Sequence, residues 1–515
     1  MTKSVMIVGG GTAGWMTAAY LARMLAAAVP DGVRICVVES DDIGIIGVGE
    51  GTFPSIRKTL SRVGLAEADL IRSANATFKQ GISFVNWRDG LGSPDDHYFH
   101  PFQIVSQADG LDLLPYWLTG AAGGDSWALA STVQTRVSQA SLAPKMISHP
   151  DYAGPLNYAY HFDAVAFARL LRDRAVSQGV EHIVDTVEAV TLTPDGAIES
   201  LTGRRSGRLS ADLYIDCTGF RAQLIGQAMG VPFKSFRSEL FTDRAVAIQV
   251  PYDEAGQEIA SFTKAIAQPN GWIWDIGLQE RRGTGYVYSS DHTTDEEAER
   301  CLRTYLGAGA KDLPSRILRF EAGFRETQWK KNCVAIGLSA GFIEPLEATG
   351  IGFAEIAGVI LAGLFPWSGP VDLGAEVFNT QMRARYTHVI DFIKLHYCLS
   401  KRRDTAFWRD NVETRSISDS LRERLKHWKH RPPSFIDVDL KHDIFTEHNW
   451  QYVLYGMGYR TDIGRRAGAL RYYEDAKAAF EDIRRQSDYA LQIMPSHRSL
   501  IEQVRLHGFE RPKGV

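Results

Sequence analysis

The first forty residues alternate between apolar runs and turn residues in a way that predicts a strand, a helix and a second strand. An apolar run at Ser4 to Val8 precedes a glycine cluster at 9–14 and an apolar-periodic segment, Trp15 to Val29, which ends at Pro30 to Gly32. Arg34 to Glu39 is another apolar run. Apolar positions at helical spacing predict a helix, and short apolar runs bounded by turn residues predict buried strands. The pattern therefore predicts one βαβ unit.

The rest of the chain alternates strand patterns with helices and ends in a long helical region. A helix is predicted at Ala164 to Ser177, and from Ala354 onward the apolar spacing is mainly helical, with a break at 430–433. Strands are predicted at Val180 to Leu192, Ala211 to Asp216, Ala245 to Val250, Gly285 to Ser289 and Cys333 to Gly337. These elements predict a mixed α/β body followed by a mainly helical part.

Composition and charge exclude several classes of protein. The 515 residues are 44% apolar and 23% charged, and no stretch approaches the run of about 18 apolar residues that a membrane helix needs. The net charge of −4 lacks the basic excess of a nucleic-acid binder. Five scattered cysteines without CxxC spacing argue against zinc and disulfides. With no export signal visible, we expect a cytoplasmic protein with no metal, nucleic-acid or membrane partner.

The glycines after the first strand have the spacing of a dinucleotide-binding loop. Residues 9–14 satisfy GxGxxG, whose glycines permit a tight turn, close approach of backbone to a pyrophosphate, and close helix–strand packing. Glu39 ends the next strand, near the usual place of the acid that binds a ribose hydroxyl. A structural glycine turn with a solvated glutamate is the alternative. The residues predicted to bind the dinucleotide are Gly9, Gly11, Thr12, Ala13, Gly14 and Glu39.

Two later segments favour FAD over NAD. A second glycine-rich loop, Ile46 to Thr52, follows the second strand, and Asp216 to Gly219 resembles the strand-end turn of flavoproteins with two dinucleotide folds. A single GxGxxG also suits an enzyme that is reduced by a separate partner. We therefore expect an α/β fold with a monooxygenase-like FAD-binding domain at 1–365, which carries a substrate-side insertion around 80–160. A helical domain at 366–515 is expected to complete the substrate site.

Four motifs, in order and spacing, resemble the flavin-dependent tryptophan halogenase family. They are Gly47 to Thr52, Phe78 to Gly81, Gly271 to Ile276 and Pro345 to Ile351. The resemblance begins at the first strand and weakens after about Arg431. It implies an FAD-dependent enzyme that halogenates an indole-like aromatic molecule.

The tryptophan pair is the most specific of these motifs. The family pattern is WxWxIP, and this chain has Trp272, Trp274 and Ile276 but Gly277 in place of the proline. The resemblance implies that both tryptophans form a wall near the flavin, which keeps bound substrate from direct oxygenation. A core strand with aromatic packing is the alternative interpretation.

The resemblance implies a reaction through hypohalous acid. Reduced FAD reacts with O2 to form a hydroperoxide, and a halide attacks it. Lys79 matches the family's catalytic lysine, which hydrogen-bonds hypohalous acid or forms a haloamine; a buried lysine has a lowered pKa, so both roles are open. Glu347 matches the glutamate that stabilises the ring cation and accepts its proton. A surface lysine and a helix-start glutamate are the respective alternatives.

A halide site and further flavin contacts are also implied. The backbone amides of Thr349 and Gly350 match the halide site, and N–H groups suit an anion. Ala348 stands where well-known members carry serine, which puts in doubt a hydrogen bond from this position to the lysine. The further flavin contacts are Gly47, Gly49, Thr52, Gly337 and Ile351.

One segment resembles the family's indole-binding region. Within His97 to Phe102, His100 and Phe102 match the imidazole and phenyl ring that sandwich the indole. Flat aromatic faces select a flat aromatic ligand. A loop histidine with a core phenylalanine is the alternative interpretation.

The C-terminal part departs from members specific for tryptophan. Those members carry a Tyr-Tyr pair, a Glu and a Phe-Trp pair upstream of a segment like Trp450 to Gly456. Counting back from that segment gives Pro433-Ser434, Leu440 and Ile444-Phe445. Proline and leucine cannot replace the polar contacts to an amino acid. We therefore predict that indole or an indole derivative is preferred to free tryptophan, with Phe445 among the substrate contacts.

Two other functions remain open from the sequence. A flavin-dependent aromatic monooxygenase would need neither a lysine at position 79 nor the tryptophan wall, and a flavin-binding redox sensor would show no turnover with halide. Halogenation implies a separate flavin reductase that supplies FADH2, a halide ion and a small indole-like substrate as partners. A homodimer is left open.

Overall fold

The chain folds into two compact units, each built from three segments. The computed structural model describes residues 2–42, 44, 49–90, 92, 96–106, 110–254, 256–439, 441–464 and 470–509. Residues 1–76, 162–237 and 320–386 form the first unit, and residues 77–161, 238–319 and 387–515 form the second. The units interleave along the chain, and the predicted domain boundary at 365 stays a prediction.

A six-stranded sheet lies at the centre of the first unit. Its order is Trp329–Lys330, Cys333–Ala335, Leu213–Asp216, Ser4–Val8, Arg34–Glu39 and Glu181–Val184. Only the first pair is antiparallel. Buried parallel strands read as continuous apolar runs, which is why the sequence predicted the strands from residues 4 and 34 with their correct bounds.

Helices and smaller strands surround this sheet in the chain order of the first unit. The helices are Thr12–Met24, Ser55–Val63, Glu67–Ser73, Ala164–Ser177, Thr349–Gly363 and the first half of Ala375–Cys398. The strands are Gly49–Gly51, Val187–Leu192, Ile198–Gly203, Gly207–Leu209, Lys234–Ser235, Gly323–Phe324 and Gly341–Phe342.

The predicted helix at 164–177 is confirmed, whereas the first helix differs from its prediction at both ends. It begins at Thr12, directly after the glycine loop, and ends at Met24 rather than at Val29. Ala26 adopts the left-handed region, with φ of 54°, so the helical backbone cannot continue past it. The apolar residues after Met24 therefore do not continue the helix, although their spacing predicts a further turn.

A seven-stranded sheet organises the second unit. Its order is Ser315–Arg319, Arg244–Pro251, Arg281–Tyr288, Gly271–Gly277, Thr263–Gln268, Gly81–Val85 and His97–Pro101. Thr77–Lys79 pairs with the strand Ala159–Asp163. Helices of this unit are Leu114–Leu118, Trp127–Ser131, Gln134–Gln139, Asp295–Leu306, the second half of Ala375–Cys398, Ala406–Asp410, Asp419–Trp428, Glu447–Gly456, Tyr473–Ile493 and His497–His507.

The described residues contain neither a membrane-crossing helix nor a metal-binding cluster. None of the helices there is both long and apolar enough to cross a bilayer. No group of three histidine, cysteine or carboxylate side chains in the same residues is arranged to hold a metal ion.

Candidate active site

Two glycines of the N-terminal loop are required by close backbone packing. Gly9 has φ of 113°, and a Cβ atom there would lie 2.2 Å from the carbonyl oxygen of Cys217. A Cβ at Gly14 would lie 1.9 Å from the carbonyl oxygen of Gly9. Both distances are far inside van der Waals contact, so the turn can form only with glycine at these places.

Gly11 differs, because a Cβ there would meet no described atom within 4 Å. It is the N-cap residue of the helix Thr12–Met24, so the first amides of that helix, including those of Thr12 and Ala13, border open space. Helix N-terminal amides and the helix dipole favour a phosphate. The space in front of Gly11 fits the pyrophosphate of a dinucleotide.

Glu39 lies at the same loop. Its side chain is so close to Gly10 that a Cβ at Gly10 would lie 2.2 Å from the Glu39 carboxyl carbon. His182 Nε2 lies 3.0 Å from Glu39 Oε2, and the Glu39 side chain stays 25% exposed. An accessible carboxylate at this place can accept a hydrogen bond from a ribose hydroxyl. The sequence missed His182, because its strand meets that of Glu39 only in the folded sheet.

The later predicted flavin contacts lie in two further segments. Gly337, with φ of 75°, would place a Cβ 2.7 Å from that of Ala13, so it brings its turn against the glycine loop. Thr52 is buried and directly follows the strand Gly49–Gly51. Gly47 lies outside the described residues.

The start of the helix Thr349–Gly363 carries the predicted halide site. Ala348, just before it, is held in the left-handed region with φ of 57°, a conformation that costs a non-glycine residue about 1 kcal/mol. A Cβ at Gly350 would meet no described atom within 4 Å, so this helix start also faces open space. Glu347 is 3% exposed in the preceding turn, and Ile351 is buried. Turn and helix start together can bind an anion.

A buried carboxylate that the sequence did not single out lies on the same helix. Glu355 accepts hydrogen bonds from the hydroxyls of Ser55 (2.9 Å) and Thr59 (2.7 Å). Burial raises the pKa of Glu355, while the two hydroxyls oppose this shift. The contact joins two helices of the first unit and has a structural role.

In the second unit, Lys79 is a buried residue, which excludes the alternative of a surface lysine. It ends the strand Thr77–Lys79 and is 1% exposed. Its Nζ lies 5.2 Å from the centroid of the Phe102 ring, which fits a cation–π contact. Burial disfavours the ammonium form and so brings a lysine closer to its neutral form.

The two residues after Lys79 hold its strand in place. The Gln80 amide donates to Ser261 O at 2.7 Å, and its side-chain Nε2 donates to Leu142 O at 2.7 Å. A Cβ at Gly81 would lie 2.5 Å from the carbonyl oxygen of His100. This close approach explains the glycine at the fourth position of the motif Phe78 to Gly81.

Trp272 and Trp274 lie on one face of the strand Gly271–Gly277, with ring centroids 6.5 Å apart. Three of their four neighbours across the sheet are small: Ala267 pairs with Trp272, and Ala265 and Gly285 pair with Trp274, whereas Val287 is the second neighbour of Trp272. A Cβ at Gly285 would lie 2.0 Å from the Trp274 ring. Small neighbours therefore make room for two large indoles, and both indole N–H groups lack a partner among the described residues.

His100 belongs to an aromatic cluster rather than to a loop. It lies with Phe392 (5.9 Å between centroids) and Tyr452 (6.0 Å), and its Nε2 is 2.8 Å from Asn449 Nδ2. Phe445 stacks on Phe392 with centroids 3.9 Å apart. Two of the predicted substrate residues thus share one cluster, whereas Phe102 lies beside Lys79. Asn449, which faces His100, was missed because their separation in sequence hides the pairing.

Acid is expected to destabilise this unit through His497. Its Nε2 accepts from the Phe78 amide at 2.9 Å, its Nδ1 lies 3.0 Å from Ile259 O, and burial lowers its pKa to about 4. The unfolded chain binds this proton near pH 6.5, so about 3 kcal/mol of unfolding free energy is lost as pH falls from about 6.5 to about 4. Urea unfolding at several pH values checks this. His497→Gln should flatten that part of the profile, and an unchanged slope would contradict it.

Comparison with known proteins identifies the family. The tryptophan halogenase family model matches residues 4–470. The chain is 37% identical to the tryptophan 6-halogenase SttH of Streptomyces toxytricini, over 96% of each chain. It is 33% identical to the tryptophan 7-halogenase RebH of Lentzea aerocolonigenes, over 97% of this chain and 98% of that protein. The chain belongs to the flavin-dependent tryptophan halogenase family.

Solved structures of this family confirm the predicted fold class. The tryptophan halogenase of Shewanella frigidimarina superimposes with a TM-score of 0.94 at 41% identity, over 99% of both chains. The flavin-dependent halogenase BrvH of a Brevundimonas species superimposes with a TM-score of 0.85 at 33% identity, over 97% of this chain and 99% of that chain. The present protein is therefore an enzyme, a flavin-dependent halogenase that uses FAD and halide, and the open glycine loop fits the cofactor.

Proposed function

We propose that this halogenase acts on indole or an indole derivative without a free amino-acid group, in preference to tryptophan. The cluster of His100, Phe392, Phe445 and Tyr452 carries this proposal. Aromatic faces provide affinity for a flat ring, but a zwitterion in the same place needs charged or polar partners as well.

Three charged groups on the segment before Phe445 are already held in ion pairs. Arg431 donates two hydrogen bonds to Asp437, at 2.7 and 2.5 Å, and Asp443 pairs with His388. A bidentate arginine–carboxylate pair is a strong contact. Binding an ammonium and a carboxylate with these groups would mean breaking such pairs.

The two residues that stand where tryptophan-specific members carry a Tyr-Tyr pair also have structural contacts. Pro433 accepts a hydrogen bond from Gln451 Nε2 at 2.9 Å, and the Ser434 amide donates to Asp437 at 2.9 Å. Leu440, the third such position, lies outside the described residues. The contacts of residues 433 and 434 favour a fixed loop that offers no polar group to the ammonium or carboxylate of an amino acid.

Lys79 is the proposed catalytic residue of the second unit. Bound reduced FAD would supply hypohalous acid from O2 and halide, and the backbone amides of Thr349 and Gly350 would donate hydrogen bonds to the halide. The Lys79 side chain then holds the halogen donor for attack by the ring, either by a hydrogen bond or as a haloamine. Its burial excludes water, which strengthens the interaction and limits escape of the reagent. The buried pair Trp272 and Trp274 is the proposed wall that prevents direct oxygenation.

Glu347 is the proposed base of the first unit. Attack of the ring on electrophilic halogen leaves a cation, which must lose a proton. A carboxylate stabilises the cation and accepts this proton. The side chain is 3% exposed, so its charge is poorly screened by water.

A separate flavin reductase is the proposed source of reduced FAD. The chain has one GxGxxG motif, at 9–14, which serves one dinucleotide. A homodimer and a cytoplasmic location stay predictions.

Competition between two substrates tests the substrate proposal. Purified enzyme, FAD, a flavin reductase with NADH, and bromide are given equal concentrations of 3-methylindole and tryptophan. The halogenated products are then quantified by mass spectrometry. We expect kcat/KM for 3-methylindole to exceed that for tryptophan by about tenfold to a hundredfold, because unpaired polar groups cost about 1–3 kcal/mol. Equal or better use of tryptophan would refute the substrate proposal and leave the reaction type standing.

A further inference from the structure

His161 is a buried histidine on the same face of a strand pair as Lys79. In the antiparallel pair of Thr77–Lys79 with Ala159–Asp163, Thr77 lies opposite His161 and Lys79 lies opposite Ala159. Alternate residues of a strand share a face, so Lys79 and His161 are diagonal neighbours on one face. Ala159, with only a methyl group, leaves room between the two longer side chains.

The imidazole of His161 is fixed at one nitrogen only. Its Nε2 lies 2.8 Å from the hydroxyl of Thr263, and the residue is fully buried. Its Nδ1 has no hydrogen-bond partner among the described residues. A buried nitrogen without a hydrogen-bond partner lowers the free energy of unfolding by about 1–3 kcal/mol. We therefore expect Nδ1 to interact with another group in the working enzyme.

The electrostatic surroundings keep His161 neutral. Burial is the main cause that lowers the pKa of His161 well below its usual value, and the positive charge of Lys79 lowers it further, with a smaller contribution from His497. Glu258 and Arg498 act in turn on His497. A neutral imidazole beside a cation is most stable with its lone pair, rather than an N–H group, towards that cation. Nε2 then donates to Thr263, and Nδ1 is the acceptor.

We propose that His161 is a positioning residue for Lys79: its neutral imidazole, fixed by Thr263, presents Nδ1 as an acceptor that stabilises and orients the Lys79 ammonium. The halogenating reagent then meets a lysine held in one protonation state and one direction. The inference rests on the proposed role of Lys79.

His497 provides a matched comparison in the same group of residues. It is equally buried and neutral, but both of its ring nitrogens contact backbone groups, at Phe78 and Ile259. His497 therefore has a structural role, whereas Nδ1 of His161 has no hydrogen-bond partner among the described residues. Substitutions at the two histidines should have different effects on Lys79.

Carbamylation of Lys79 by cyanate tests this without flavin or halide. Cyanate is about as small as hypohalous acid and reacts only with a neutral amine, so the rate against pH gives the midpoint of Lys79 ionisation. Peptide mass spectrometry follows the modification of Lys79. His161→Leu should lower the midpoint by about one pH unit, which makes the reaction about tenfold faster below both midpoints.

Other variants separate a positioning role from a structural one. His161→Asn keeps an acceptor near the place of Nδ1 and should restore the midpoint of the wild type. Thr263→Val, which removes only the group that fixes the ring, should shift the midpoint in the same direction by less. His497→Gln should lower the melting temperature and leave the midpoint unchanged.

The pH profile of halogenation gives a second readout. If the ammonium is the active form, the loss of kcat at high pH should move to lower pH in His161→Leu, in step with the cyanate midpoint. An unchanged midpoint in both His161→Leu and Thr263→Val would overturn the inference. A wild-type enzyme that fails to halogenate would refute the proposed function instead, since the cyanate result does not depend on turnover.

Discussion

Replacing Lys79 with methionine is expected to abolish halogenation while leaving the fold intact. Methionine matches the lysine stem in length and fits a site that is 1% exposed, but it cannot hold or transfer halogen from hypohalous acid. Losing a group that acts directly on the reacting atoms costs about a thousandfold in rate. Mass spectrometry of halogenated indole measures the loss, and thermal unfolding should show equal or higher stability because a buried amine is removed.

Lys394 supplies the matched control for this prediction. It is also 1% exposed and in the same unit, and its Nζ donates to Glu239 O and Asn411 Oδ1, each at 2.9 Å. Lys394→Met should lower the melting temperature and preserve the halogenating activity of the folded enzyme. A Lys79→Met enzyme that retains activity comparable to wild type would rule out the catalytic role of Lys79.

Substituting Gly11 with alanine is expected to impair FAD binding without disturbing the apoprotein. The backbone of Gly11, with φ of −75° and ψ of −177°, suits any residue, and the new Cβ would meet no described atom. The methyl group would instead occupy the space where the pyrophosphate approaches the backbone. We expect FAD affinity to fall at least about tenfold, measured by quenching of flavin fluorescence, since each tenfold is about 1.4 kcal/mol.

Gly14→Ala is the control that distinguishes weaker FAD binding from lower stability of the apoprotein. Its Cβ would lie 1.9 Å from the carbonyl oxygen of Gly9, so the loop itself must distort. This variant should lower the melting temperature of the apoprotein, whereas Gly11→Ala should not. Unchanged FAD affinity in Gly11→Ala would exclude the glycine loop as the pyrophosphate site.

The glycine loop was predictable because its signals are local. A strand, a glycine loop and a helix follow each other within twenty-four residues, from Ser4–Val8 to Thr12–Met24. The glycine spacing reflects backbone contacts inside this short segment. The contact with Cys217, which explains Gly9, comes from far along the chain.

Lys79 could be singled out only through the resemblance to a family. Lys79 lies on a three-residue strand, which is too short for a periodic pattern. Its surroundings come from residues distant in sequence: Phe102 contacts its side chain, and Ser261 accepts a hydrogen bond from the next amide, that of Gln80. His161 and Asn449 contact residues that are remote in sequence, so no local pattern marks them. Such pairings are decided by tertiary packing.

Halogenation itself is tested most directly by the mass of the product from indole, made by the wild-type enzyme in bromide under 18O2 with FAD, a flavin reductase and NADH. We predict a product that shows the 1:1 isotope doublet of bromine, carries no 18O, and disappears when Lys79 is replaced with methionine. A product heavier by one 18O atom, formed equally well without halide, would contradict halogenation and identify an aromatic monooxygenase.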